Sequence, residues 1–170
     1  RTEPSSDRRP LRSVHTASLA ALLGELESSL LVSTYQSGRV ILVRNHEQGA
    51  APRGFSAYGA QFERLDRVAL DRLYDVGSGR APMLGGTTTL LYDPASGRVE
   101  ASWLSLGGTT RNCAGGVTPW GSWLSCEEFS VRAGGPFKRD HGFVFEVPAT
   151  SEPALTPAQP LLALGRMNHE

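Results

Sequence analysis

An all-β domain of antiparallel strands is the fold class this sequence predicts, and three observations predict it. Nineteen Gly and eleven Pro among 170 residues suit a chain that turns often. β-Branched and aromatic runs of strand length recur between turn signals, at 29–35, 39–44, 87–106, 122–128 and 141–147. Beyond residue 75, little of the chain follows a helical period. Such strands close into a sandwich, a barrel or a propeller, and their spacing is compatible with propeller blades of about 40–50 residues.

Each element follows from its residues. Residues 1–15 read as a poorly ordered arm, with Arg1, Arg8, Arg9 and Arg12 set among Ser and Pro. A short amphipathic helix is predicted over 16–28, where Leu19, Leu22, Leu23 and Leu26 share one face. "SLLVSTY" and "RVILVR" form a hairpin through Gln36-Ser37-Gly38. The stretch 48–60 is loop. Phe62, Leu65, Val68, Ala69, Leu70 and Leu73 suggest a short helix within 62–74. "TTTLLYD" and "RVEASWLSL" make the cleanest hairpin, joined by Asp93-Pro94-Ala95-Ser96-Gly97. "GSWLSCEE" and "HGFVFEV" are two more strands, and "LLALGRMNHE" is expected to begin another after a Pro/Ala/Thr connector.

Charge and apolar content exclude several functions. Lys+Arg and Asp+Glu both number 17, so no net field draws in nucleic acid or an anionic membrane. No apolar run reaches the ~18 residues of a membrane span. "RRPLR" faintly suggests an export signal, but Pro10 interrupts it, His15, Glu25 and Glu27 break the apolar region, and no A-x-A site follows. The two cysteines, Cys113 and Cys126, suit one disulfide, two thiols or one thiolate ligand equally well.

The chemistry gathers in "RNCAGGVTPWGSWLSCEE", residues 111–128. Carboxylate oxygens suit a hard cation such as Ca²⁺, and a thiolate suits iron or zinc. If 122–128 is a strand, Trp123, Ser125 and Glu127 face one way and Leu124, Cys126 and Glu128 the other. One cation then meets only one of the two glutamates unless the strand bends. Cys126 reads as a packing residue beside Leu124. Cys113 lies in a turn whose Gly115 and Gly116 permit positive φ and close approach of other backbone. The triplet Asn-His-Glu also recurs, at 45–47 and 168–170, each time after a β-like run and each time offering amide, imidazole and carboxylate.

"GGTTTLLYD", "GTTRNCAGGVTPWGSWLSCEE", "HGFVFEV" and "LGRMNHE" stand here in the order found in PhoX-type alkaline phosphatases, which the chain resembles from about residue 39 to 170. The resemblance implies a β-propeller enzyme hydrolysing phosphate monoesters at an iron and calcium cluster, in the periplasm or outside the cell. It implies Cys113 as the thiolate ligand to iron. It implies a glutamate of the Glu127–Glu128 pair and Glu170 as carboxylate ligands, with Glu47 on the calcium side. Arg111 faces phosphate or forms a strand-end ion pair. Clustered cations would act as Lewis acids on the phosphoryl group.

Residues 14–43 also resemble an uncharacterised bacterial propeller-like family. A six-bladed propeller needs on the order of 240 residues, so the expectation is a partial β-propeller over 16–170, two to three blades of antiparallel sheet with the short N-terminal helix. The other reading is a non-catalytic module that keeps at most a calcium site. A calcium-dependent lactonase has no motif in its favour.

Overall fold

The computed structural model describes residues 31–34, 38–49, 58–59, 61–79 and 81–169. Among them, seven strands form two antiparallel sheets. The first joins β1 (Leu31–Thr34), β2 (Val40–His46), β3 (Gly85–Asp93) and β4 (Arg98–Thr109) in chain order. The second joins β5 (Asn112–Val117), β6 (Ser122–Glu127) and β7 (Val144–Pro148), also in chain order. This is the all-β antiparallel class predicted above. The helix predicted over 16–28 lies outside the described residues.

Turn chemistry sets the hairpins. Asp93 accepts from the Ala95 amide at 2.9 Å and the Ser96 hydroxyl at 2.7 Å, and the Gly97 amide returns to the Asp93 carbonyl at 2.9 Å. Gly97 takes φ +69°, which glycine adopts without a Cβ clash. Residues 31–34 and 40–43 pair antiparallel across the turn at Gly38, as expected.

The sheets meet over Val43, Tyr74, Leu106, Trp123, Phe145 and Val147, all buried. Strand parity then decides what else faces the junction. Val43 points toward the second sheet, so Asn45 and Glu47, two and four residues on, follow it. Leu42 is buried on the opposite face with Leu90 and Tyr92.

Three expectations are corrected. The helix expected within 62–74 is instead two 3₁₀ turns, Leu65–Arg67 and Leu70–Arg72. Val68 and Ala69 are extended between them, and the amides of Tyr74 and Asp75 bond the carbonyls of Gly107 and Gly108 at 3.0 and 2.9 Å. Phe62, Leu65, Val68 and Leu73 turn inward while Leu70 stays exposed, and attachment to the end of β4 stretches the backbone. The strand expected after residue 160 is a 3₁₀ turn, Leu162–Leu164. Pro160 forms only an isolated bridge with Phe145, because proline has no amide hydrogen to extend a ladder. Lastly, "NCAGGV", read as a turn, is strand β5 with an irregularity between Asn112 and Gly115.

Neither Gly115 nor Gly116 has positive φ, which corrects the reason given for that pair. Close approach alone accounts for Gly115: a Cβ there would lie 2.0 Å from the Leu124 carbonyl oxygen and 2.6 Å from the Trp123 ring. Nothing among the described residues lies within 4 Å of a Cβ placed on Gly116. Gly115→Ala is therefore expected to lose about 1–3 kcal/mol, the range for overpacking, and Gly116→Ala to stay within about 0.5 kcal/mol of the parent. Urea midpoints of the two variants check this, and equal losses would contradict it.

Candidate functional site

The site begins with a bulge. Asn112 pairs with Glu127 and Gly115 with Ser125, so three steps along β5 match two along β6. The extra residue re-aims the strand, and Cys113 and Ala114 occupy the irregular stretch opposite Cys126. No disulfide joins the cysteines. Burial, and then the charge of Cys113, push the Cys126 thiol upward. Cys126 is half-buried, facing the same neighbourhood as Cys113, and is not the enclosed packing residue expected.

The glutamate pair divides as strand parity requires. Glu127 is wholly buried. Its Oε1 accepts from the Thr110 amide at 2.9 Å and meets His141 Nδ1 at 2.7 Å. Its Oε2 accepts from the amides of Gly142 at 2.7 Å and Phe143 at 3.0 Å. A carboxylate has about four lone-pair sites, and all are taken. Glu128 points the other way, and its Oε2 is buried without a hydrogen-bond partner among the described residues.

One atom each from Glu47, Cys113 and Glu128 lie within 4.8 Å of one another. Backbone holds them there. The Arg111 amide bonds the Gln48 carbonyl at 2.8 Å, and the Glu128 amide bonds the Arg111 carbonyl at 2.9 Å. The loop carrying Glu47 is thereby fastened to the end of β6. Two carboxylates cannot donate to each other, which leaves Oε2 unsatisfied; one shared proton would join them. That hydrogen bond with Glu47, then the charge of Glu47, then burial push the Glu128 carboxyl up, and Arg111 partly offsets them. A thiol and two crowded carboxyls, one with a buried oxygen that no N–H or hydroxyl donor among the described residues satisfies, form a donor set for a cation.

The remaining predicted residues lie around this group. Arg111 is exposed, with its guanidinium 5.2 Å from the Phe129 ring centroid, and it forms no ion pair among the described residues. In the first Asn-His-Glu triplet only Glu47 joins the group. His46 is buried, with Nε2 2.5 Å from the Thr88 hydroxyl; burial, then the charge of Arg44, push it down to about 4. In the second, Asn168 accepts from the Ser130 amide at 2.8 Å, and the His169 amide bonds the Glu127 carbonyl at 3.2 Å. Glu170 lies outside the described residues.

Sequence reasoning missed Asp75 and His141. His141 is wholly buried between two carboxylates, Glu127 and, through Nε2 at 3.1 Å, Asp75. Asp75 also accepts from the amides of Gly77 at 2.7 Å, Lys138 at 2.8 Å and Arg139 at 3.0 Å. Burial pushes His141 down, but Glu127 and then Asp75 outweigh it and the net shift is upward. Burial also pushes Asp75 up, but those hydrogen bonds hold it below its usual range. "HG" before an apolar strand is the only trace of this in the sequence.

A family model described as alkaline phosphatase PhoX matches residues 21–170. Neither a curated protein nor a solved structure matches the chain.

The two buried histidines have opposite pH signatures. His141, raised above 6.5, contributes fully below that pH, and its contribution disappears as pH climbs through the raised value. His46, lowered to about 4, contributes fully above 6.5 and is lost as pH falls toward that value. Asp75 is lost only in acid below 3.8. The histidines thus place maximal stability near pH 6.5, which denaturation from about pH 4 to about pH 9 measures. A steady rise toward pH 9 would contradict this. His141→Gln, which leaves two buried carboxylates uncompensated, is expected to lose about 3–5 kcal/mol and to flatten the alkaline limb.

Proposed function

Because the chain belongs to the PhoX alkaline phosphatase family, we propose that it hydrolyses phosphate monoesters at a centre of iron and calcium held by Cys113, Glu128 and Glu47. The observation that carries this reading is the convergence of one thiol and two carboxyls within 4.8 Å, with a buried Glu128 oxygen that no N–H or hydroxyl donor among the described residues satisfies. Thiolate suits iron and carboxylate oxygen suits calcium, so this mixed donor set fits both. Glu170 is a further carboxylate ligand in this reading. It follows His169, whose amide is anchored at Glu127, the neighbour of Glu128.

The chain's own residues divide the work. Cys113 comes from β5, Glu128 from just past the end of β6 in the same sheet, and Glu47 from just past the end of β2 in the other sheet. Bound cations would supply Lewis-acid polarisation of the phosphoryl oxygens and neutralise charge in the transition state. Arg111 sits against Glu128 with its guanidinium exposed over Phe129, where it can meet a phosphate oxygen. Glu127, saturated by hydrogen bonds, keeps the strand end rigid and takes no ligand role. The compartment that goes with this reading is the periplasm or the cell exterior.

Elemental analysis of iron and calcium, paired with hydrolysis of a chromogenic phosphate monoester, tests the proposal. The parent chain is expected to hold iron and calcium. Cys113→Ser should lose the iron, since a hydroxyl is a poor substitute for thiolate, and Glu128→Gln should weaken binding. Cys126→Ser should leave metal content nearly unchanged. A folded chain without metal overturns the reading. Metal without turnover assigns the chain to the non-catalytic module.

A further inference from the structure

We infer that Asn45 is the positioning residue for Cys113, the last donor in a one-way chain of hydrogen bonds that runs from the end of β4 through β5 and β6 to β2. The inference rests on the reading of Cys113 as a cation ligand. Asn45 Nδ2 bonds the carbonyl oxygens of Cys113 at 2.6 Å and Ala114 at 3.3 Å. These are the two residues of the irregular stretch, where the β5–β6 ladder is interrupted. Both amide hydrogens of Asn45 are thus spent on the segment that aims the thiol.

The opposite end of the amide is fixed as well. Oδ1 accepts from the Ser125 hydroxyl at 2.9 Å and faces Trp123 Nε1 at 3.5 Å. Indole nitrogen only donates and a backbone carbonyl only accepts, so the amide fits one way round. Ser125 in turn accepts from Asn112 Nδ2 at 2.8 Å, and Asn112 Oδ1 accepts from the Thr109 hydroxyl at 2.5 Å. Thr109, Asn112 and Ser125 are all wholly buried. Each link donates toward the next, so the bonds polarise one another and converge on Asn45. Asn45 acts on a cation only through the backbone of Cys113. Its place is set by parity with Val43, two residues earlier on β2.

Asn45→Asp keeps the shape and both acceptor contacts but presents oxygen to two carbonyls. Titration with Co²⁺ alone reads the result, because thiolate ligation gives a near-ultraviolet charge-transfer band. The parent is expected to show the band and Cys113→Ser to lack it. Asn45→Asp is expected to bind Co²⁺ about 10–100-fold more weakly, the usual effect of removing a residue that orients a ligand, with a diminished band. Unchanged affinity and band in a folded Asn45→Asp overturn the inference. Mass-mapped alkylation of the metal-free chain separates its failure from failure of the site reading. Loss of the Asn45 tether should speed alkylation of Cys113 several-fold and leave Cys126 unchanged. If the parent shows no thiolate band, the site reading has failed. A selective acceleration at Cys113 would still support Asn45 as its tether, and equal rates would overturn that too. Should Asn45→Asp not fold, Asn45→Ser removes the amide without adding charge, and the same results are expected of it.

Discussion

A carboxylate with no access to water must satisfy its lone pairs from the protein, and Glu127 does so from two separate stretches of chain. Thr110 lies at the junction of the two sheets, Gly142 and Phe143 lead into β7, and His141 carries the connection on to Asp75. Asp75 then gathers the amides of Gly77, Lys138 and Arg139. Loops that the hydrophobic junction alone would leave loosely placed are fixed by donors aimed at two buried acids. Hydrophobic burial brings the sheets together, and this charged network sets how their ends align.

The consequence for the site is geometric. With Glu127 anchored inward, strand alternation turns Glu128 outward, and the anchored backbone brings it against Glu47 and Cys113. The group draws on both sheets, one carboxyl coming from just past the end of β2, the thiol from β5 and the other carboxyl from just past the end of β6. It can therefore form only when the first sheet is seated on the second. Folding of the junction and assembly of the donor set are one event.

Much of this was legible in the sequence for identifiable reasons. The β3–β4 hairpin announces itself because Asp93 and Gly97 have local chemistry that needs no partner elsewhere. Cys113 and a glutamate of the pair were legible because ligand-type side chains sit close together in an unusual motif. The division between Glu127 and Glu128 was half legible: parity separates the two, but the burial that assigns them depends on His141 and Asp75, 14 and 66 residues away from the contacts they make. β5 was not legible, because its glycines resemble turn residues and only the approach of Leu124 and Trp123 shows Gly115 to be a packing residue. The 3₁₀ turns at 65–72 hid for a related reason. Their apolar spacing suits a helix, and the attachment of Tyr74 and Asp75 to β4 overrules it.

Arg111 has φ +45°, a left-handed conformation that costs a side-chain-bearing residue about 1–2 kcal/mol. Its amide and carbonyl hold Gln48 and Glu128 together, so the conformation cannot relax without loosening the group. Glycine or asparagine would adopt the same backbone with less strain and would discard the guanidinium over Phe129. Selection for thermal stability alone would therefore remove this arginine early, whereas selection for charge beside the carboxylates would keep it. A consensus or stabilising redesign that ranks substitutions by folding energy would silently trade away the site's cation at this position.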